Sequence, residues 1–182
     1  SDIEHPAIKE SAAWLKTQGF EVDYAPVDAR GFVKVDALAS LLRPETTLVS
    51  VMAINNEIGS IQPIHDIAAL LEDRPTISFH VDAVQALAKV ATEVYLPERV
   101  DFATFSSHKF HGLRGVGFVY IKEGKKITPL LTGGGQEKEM RSTTENVAGI
   151  AVTAKALRLA MENQEAFASK TQQMKEVIRE EL

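Results

Sequence analysis

Apolar and polar positions alternate along this chain with two periods in turn. Residues 6–18 have helical spacing, with Pro6 in the first turn and Gly19 just past the end. Residues 20–27 alternate apolar and polar in the manner of a strand. Arg30-Gly31 reads as a turn. Asp36 reads as the N-cap of a helix running toward Leu42, stopped by Arg43-Pro44. Residues 47–53 form a nearly unbroken apolar run, as expected for a strand buried on both faces. Pro63-Ile64 opens a helix to about Glu72. Residues 77–82, 100–106 and 115–121 read as three more strands, the last followed by a solvated turn at residues 122–126. From Asn146 the pattern is helical almost to the end, as one long helix. Strands alternating with helices predict an α/β fold of three αβα layers with a mostly parallel sheet.

Composition narrows the class. The 182 residues suit one domain, with no linker, repeat or low-complexity segment inside. A chain that is 45% hydrophobic and 25% charged is neither disordered nor a coiled-coil array. A formal charge of −5 argues against a partner bound through a nucleic-acid backbone. No apolar run is long enough to cross a bilayer, and no signal-peptide pattern opens the chain. The absence of cysteine excludes a disulfide scaffold, a thiolate zinc site and a Cys nucleophile within these residues. It fits a cytoplasmic setting. Both ends read as cut. The final 17 residues form a strong helix without a stop, and the first five supply no strand. A domain excised from a longer protein is one reading; a frayed end with a short leader is the other.

Candidate chemistry sits where strands end, since ligands of open α/β sheets bind at the carboxyl ends. The strand ending at Ala53 is followed by Asn55-Asn56-Glu57. The next ends at His80-Val81-Asp82 and leads to Gln85. The third ends at Ser106-Ser107-His108-Lys109. Asp82 follows a buried strand, where a carboxylate is expensive unless paired. It reads either as a cap for the next turn or as the partner of a cationic ring nitrogen. Lys109 read alone is a solvated charge. At a strand end, partly desolvated and near other cations, a lysine can lose its proton and form a Schiff base. An Asp for a pyridinium nitrogen and a Schiff-base Lys on neighbouring strand ends are the protein side of pyridoxal phosphate chemistry. His80 reads as a packed core histidine. The histidines show no ligand spacing with a carboxylate, so no metal site is expected. Gly133-Gly134-Gly135 reads as a mobile turn or as a phosphate loop.

Five ordered motifs then carry a family resemblance. Glu4-His5-Pro6-Ala7, Asn55-Asn56-Glu57-Ile58-Gly59, His80-Val81-Asp82-Ala83-Val84-Gln85, Ser107-His108-Lys109-Phe110-His111-Gly112 and the run from Gly133 to Asn146 resemble cysteine desulfurases. These are class V aminotransferase relatives that use pyridoxal 5'-phosphate. The likeness is greatest to the branch serving nitrogen fixation, iron–sulfur cluster assembly and tRNA thiolation.

The resemblance implies a fold-type-I large domain and a role at each matching position. Lys109 matches the lysine that holds the cofactor aldehyde and later moves protons. Asp82 matches the carboxylate on the ring nitrogen. His5 matches the histidine stacked on the ring, an acid–base participant. Asn56 and Gln85 match residues around the ring, with Gln85 near its phenolic oxygen. Ser106 and His108 match phosphate ligands. Thr144 matches a threonine that reaches the phosphate in the other subunit of a homodimer. The implied reaction removes sulfur from L-cysteine, giving L-alanine and a persulfide on a mobile Cys of the enzyme, for delivery to a sulfur acceptor or scaffold protein.

Ser107 stands where the family commonly has Gly or Ala, Leu113-Arg114 replaces Pro-Lys, and Thr143 replaces Gly. The family's chains are about twice as long. Their N-terminal phosphate-binding helix, substrate-carboxylate arginine and persulfide Cys have no counterpart here. Residues 1–182 thus resemble the central part of the cofactor domain, with 146–182 leading toward a small domain. This piece alone is expected to release no sulfur and to bind the cofactor weakly. The competing expectations are another class V enzyme (a selenocysteine lyase or an aminotransferase) and a non-catalytic dimerisation or interaction module.

Overall fold

A computed structural model describes residues 1–181. In chain order the elements are α1 (Pro6–Thr17), α2 (Val35–Leu41), β1 (Leu48–Met52), α3 (Ile64–Leu70), β2 (Ser78–Asp82), α4 (Thr92–Tyr95), β3 (Phe102–Ser106), β4 (Gly117–Ile121), α5 (Val147–Glu162) and α6 (Gln164–Glu181). The four strands form one sheet in the order β1-β2-β3-β4. β1, β2 and β3 run parallel, and β4 returns antiparallel on β3. The expected α/β class and mostly parallel sheet are therefore what the chain adopts.

Alternation along the strands separates two faces. One carries Val49, Val51, Phe79, Val81, Ala103 and Phe105, all within the hydrophobic core with Ile64, Ile67 and Leu71 from the α3 region. The other carries Ser50, His80 and Thr104, which are only half-buried, together with Met52, Asp82 and Ser106. His80 spans this second face. Its Nδ1 lies 2.8 Å from Ser50 Oγ and its Nε2 3.1 Å from Thr104 Oγ1, so three strands are joined through one ring. The reading of His80 as a packed histidine agrees with these contacts.

Burial lowers the pKa of His80, with Glu4 opposing in part. The unfolded chain takes up a proton near pH 6.5 that the folded ring resists, so this contribution is present above about 6.5 and is lost as pH falls toward the lowered value. Urea midpoints should show it. The stability difference between wild type and His80→Gln should change between pH 7.5 and pH 5, and a constant difference would contradict it.

Several sequence expectations are corrected. Residues 20–27 form no strand; they contribute an isolated bridge, Val27 to Val33, and Ala25 O accepts the Asp2 N–H. Alternation alone makes no strand where no neighbour offers a ladder. The first helix after Gly31 begins at Val35 with Lys34 as N-cap, and Asp36 lies inside its first turn. The long C-terminal helix is two helices. Asn163 caps α5, its Nδ2 donating to Leu159 O, and Gln164 reaches back to Val90 O. The turn after β4 is not merely solvated. Lys125 pairs with Asp101 at 3.1 Å, and Arg99 pairs with it at 2.8 Å. Burial alone would raise the Asp101 pKa, but the Phe79 N–H and these two cations pull it below the ordinary carboxylate value.

Candidate active site

The parallel order β1-β2-β3 brings three strand ends to one edge of the sheet, which is where the sequence places its candidate residues. Asp82 is the last residue of β2. It stands opposite Met52 of β1 and Thr104 of β3, and only 8% of its surface is exposed. Its Oδ1 accepts the Val84 N–H at 3.0 Å, the one hydrogen bond to this carboxyl among the described residues. Asp82 therefore caps the following turn, as one reading of the sequence holds. That bond leaves most of the carboxylate's accepting capacity unused.

Burial raises the Asp82 pKa. The Val84 N–H opposes it, Glu4 adds to the rise, and His5 opposes it. The N-terminal segment thus lies against the β2 end. Several hydrogen bonds hold it there, two of them near the strand ends. Glu4 Oε1 accepts the Met52 N–H at 2.9 Å, and the buried Asn55 donates from Nδ2 to Ile3 O at 2.9 Å. His5 is exposed and caps α1, its Nδ1 accepting the Ala7 N–H at 3.1 Å.

Glu4 was legible only as part of a motif, and Asn55 only as the neighbour of Asn56. Asn55 also accepts the N–H groups of Glu57 and Ile58, which shapes the loop after β1. Asn56 sits exposed on that loop.

β3 delivers the second group. Ser106 ends the strand half-buried, and a 3-10 turn over Ser107–Phe110 follows at once. His111 closes the turn in a left-handed conformation at φ +69. Ser107 is fully buried and anchors the turn to α5, its Oγ lying 2.9 Å from Thr153 Oγ1. The anchor requires glycine at 112, because a Cβ there would overlap Ser107 Oγ and stand 3.0 Å from Ser107 O. Gly112→Ala should therefore cost about 1–3 kcal/mol in chemical denaturation and loosen the turn carrying Lys109. An unchanged midpoint would refute the packing argument.

His108 and Lys109 project from this turn into solvent, and Lys109 Nζ has no hydrogen bond or ion pair among the described residues. Lys109 lines a groove of about 440 Å³ between the turn and the last helices, with Lys89 and Phe110.

Asp82 and Lys109 thus stand on neighbouring strand ends without direct contact. The charged groups near Asp82 are Glu4 and His5, while Lys109 is near Lys89. Gln85 is half-buried in the turn after β2, where its Oε1 accepts from Lys89 Nζ. Thr144 is exposed in the segment before α5, and Ser142 in the same segment donates to Gly134 O across the glycine loop. The chain brings His5, Asp82, Gln85, Ser106, His108 and Lys109 to one sheet edge, with Asn56 on the adjoining loop. Thr144 reaches none of them by any hydrogen bond among the described residues.

Among the described residues no helix is long and apolar enough to cross a membrane.

The chain is similar in sequence and fold to known proteins. The NifS/IcsS protein homolog of Lactobacillus delbrueckii subsp. bulgaricus is 48% identical over 178 residues, covering 98% of this chain and 46% of that protein. The Cysteine desulfurase IscS of Clostridium botulinum (strain Hall) is 50% identical over 161 residues, covering 88% of this chain and 40% of that protein. A solved structure described as a NIFS-LIKE PROTEIN superposes with a TM-score of 0.85 at 46% identity, over 90% of this chain and 45% of its own. Another, SspA in complex with cysteine, has a TM-score of 0.80 at 31% identity, over 87% of this chain and 46% of its own. The chain spans about half the length of the curated relatives it matches. The family model described as Aminotransferase class-V matches residues 1–182, and the chain belongs to that family.

Proposed function

We propose that residues 1–182 are the central part of the cofactor domain of a cysteine desulfurase, a pyridoxal 5'-phosphate enzyme that takes sulfur from L-cysteine and leaves L-alanine. The observation that carries this reading is the placement of two groups, not in contact, after adjacent parallel strands. One is a buried carboxyl, Asp82, with capacity to accept a further donor. The other is an unbonded amine, Lys109, on the next strand end. A pyridine ring fits that edge chemically. A protonated ring nitrogen would donate to Asp82 and neutralise a carboxylate that burial disfavours.

In this reading Asp82 would hold the ring nitrogen and Lys109 would hold the aldehyde carbon. Ser106 and His108 lie at the strand end and turn where a phosphate would rest, and Gln85 and Asn56 flank the ring. Glu4 and Asn55 hold the segment that carries His5, and His5 would cover the ring face. When bound, the cofactor supplies an electron sink for charge developing on the substrate's α-carbon. The chain's own residues do the rest. Asp82, held by the Val84 N–H, keeps a negative charge facing the ring nitrogen. Lys109, on a turn pinned by Ser107, is placed to take and return a proton. His5 supplies a second proton site on the exposed side.

The thiol that accepts sulfur lies outside these residues, which contain no cysteine. The sulfur acceptor, in iron–sulfur cluster assembly or tRNA thiolation, is a separate partner. Thr144 is exposed and bonded to nothing at this edge, which supports a place at a homodimer interface, where it would complete the partner's phosphate site. A cytoplasmic setting accords with this chemistry.

Equal amounts of alanine and sulfide should form from L-cysteine with the full-length parent protein and a thiol reductant. The 182-residue chain alone should form neither above the rate of free cofactor. Desulfuration by the isolated chain, or a parent protein that transaminates cysteine without releasing sulfide, would overturn the proposal.

A further inference from the structure

The turn after β2 holds a cation that the roles above leave unused. Lys89 is half-buried, four residues past Gln85, and its Nζ donates to Gln85 Oε1. No carboxylate pairs with it among the described residues. Burial lowers its pKa and the nearby Lys109 lowers it further, so this is an unfavourable place for a lysine. The backbone holds it there nonetheless. Ala83 O accepts the N–H groups of Ala86 and Leu87, and Ala86 O accepts those of Lys89 and Val90. Ala88 between them is buried at φ +60, a left-handed conformation that costs a residue with a Cβ roughly 1 kcal/mol. Strain of this kind persists where the surroundings over-determine it, and it clusters at sites with a task.

The chemistry of the contact is directional. An ammonium has three donors and no acceptor, so only the amide oxygen of Gln85 can face it. The Gln85 NH₂ is thereby turned away from Lys89, and it makes no hydrogen bond within the described residues. We infer that Lys89 is a positioning residue that fixes Gln85 as a hydrogen-bond donor toward an anionic oxygen on the ligand's ring, an inference that rests on the pyridoxal phosphate reading of the site. Without Lys89 the amide is free to present either its oxygen or its nitrogen, and an amide oxygen would repel a phenolate.

Side-chain NMR of the labelled chain tests the orientation without any ligand. Lys89→Met keeps most of the apolar stem and removes the donor. It should lower the order parameter of the Gln85 side-chain amide at least twofold, while Lys89→Arg, still a donor-only cation, should preserve it. Equal order in Lys89→Met and wild type overturns the inference. Should Lys89→Met fail to fold, wild type alone serves: raising the pH until Lys89 deprotonates should broaden the Gln85 amide signals with the midpoint of the Lys89 Cε shift. Gln85 signals indifferent to that titration overturn it.

In the holoenzyme, the pH midpoint of the cofactor's absorbance should move equally in Lys89→Met and Gln85→Ala, and no further in the double variant. If Gln85→Ala moves it and Lys89→Met does not, the positioning role is wrong. If Gln85→Ala leaves it unmoved while Lys89→Met loosens the amide, the orientation stands and the ring reading falls.

Discussion

Lys109→Ala should abolish the visible absorbance of lysine-bound cofactor in the parent protein and lower sulfide release by about a thousand-fold or more, since both covalent capture and the proton shuttle go with the amine. Stability should hardly change, because Lys109 is exposed and bonded to nothing among the described residues. Absorbance spectra, alanine yield and a denaturation curve measured on one preparation separate these effects. A variant that keeps the band, or that loses activity only because it unfolds, would remove Lys109 from its role. Lys89→Ala is the necessary control, since Lys89 lines the same groove and is a second amine near the site. It should leave a covalent band in place.

Asp82→Asn should move function and stability in opposite directions. Asparagine keeps an oxygen for the Val84 N–H and removes the charge. Loss of a preorganised charge partner at a reacting ring should lower kcat/KM by about a hundred- to a thousand-fold. Stability near neutral pH should rise. The folded-state pKa of Asp82 is raised by burial, so the folded chain holds this proton to higher pH than the unfolded chain does. The protonated carboxyl is neutral at low pH, and the destabilising contribution appears as pH climbs from about 3.8 through the raised value. An asparagine at this position does not titrate and has no such slope. Urea midpoints at pH 4 and pH 7 should therefore show wild type losing ground to the variant at the higher pH. A variant that is less stable than wild type at pH 7, with activity intact, would make Asp82 a cap and nothing more.

Much of the fold was legible because the parallel strands are short apolar runs bounded by turn residues. Residues 47–53, 77–82 and 100–106 contain β1, β2 and β3 almost to the residue. The failures share a cause. Residues 20–27 have the right alternation, but a strand needs a neighbour and local sequence does not supply one. Lys34 rather than Asp36 precedes α2, and neither makes a side-chain capping bond there. The break at Asn163 depends on Gln164 reaching Val90, a contact 74 residues distant in sequence.

The site divides in the same way. Strand order puts Asp82 and Lys109 on adjacent ends, and the motifs name both. What tunes them was not legible. Glu4 is placed beside Asp82 by a bond to Met52, 48 residues away, and the approach of Lys89 to Lys109 depends on a left-handed turn at a residue that is not glycine. The i,i+4 spacing of Gln85 and Lys89 is a sequence signal for their bond, but not for the approach of Lys89 to Lys109.

Reductive trapping decides whether Asp82 and Lys109 serve one ring. The parent protein is equilibrated with pyridoxal 5'-phosphate, reduced with borohydride, digested and mapped by mass spectrometry, with Asp82→Asn in parallel. One dominant phosphopyridoxyl-lysine is expected at Lys109, with a markedly lower yield in Asp82→Asn. Tags spread evenly over surface lysines, or a Lys109 tag indifferent to residue 82, would show that the two strand ends do not serve a single ring.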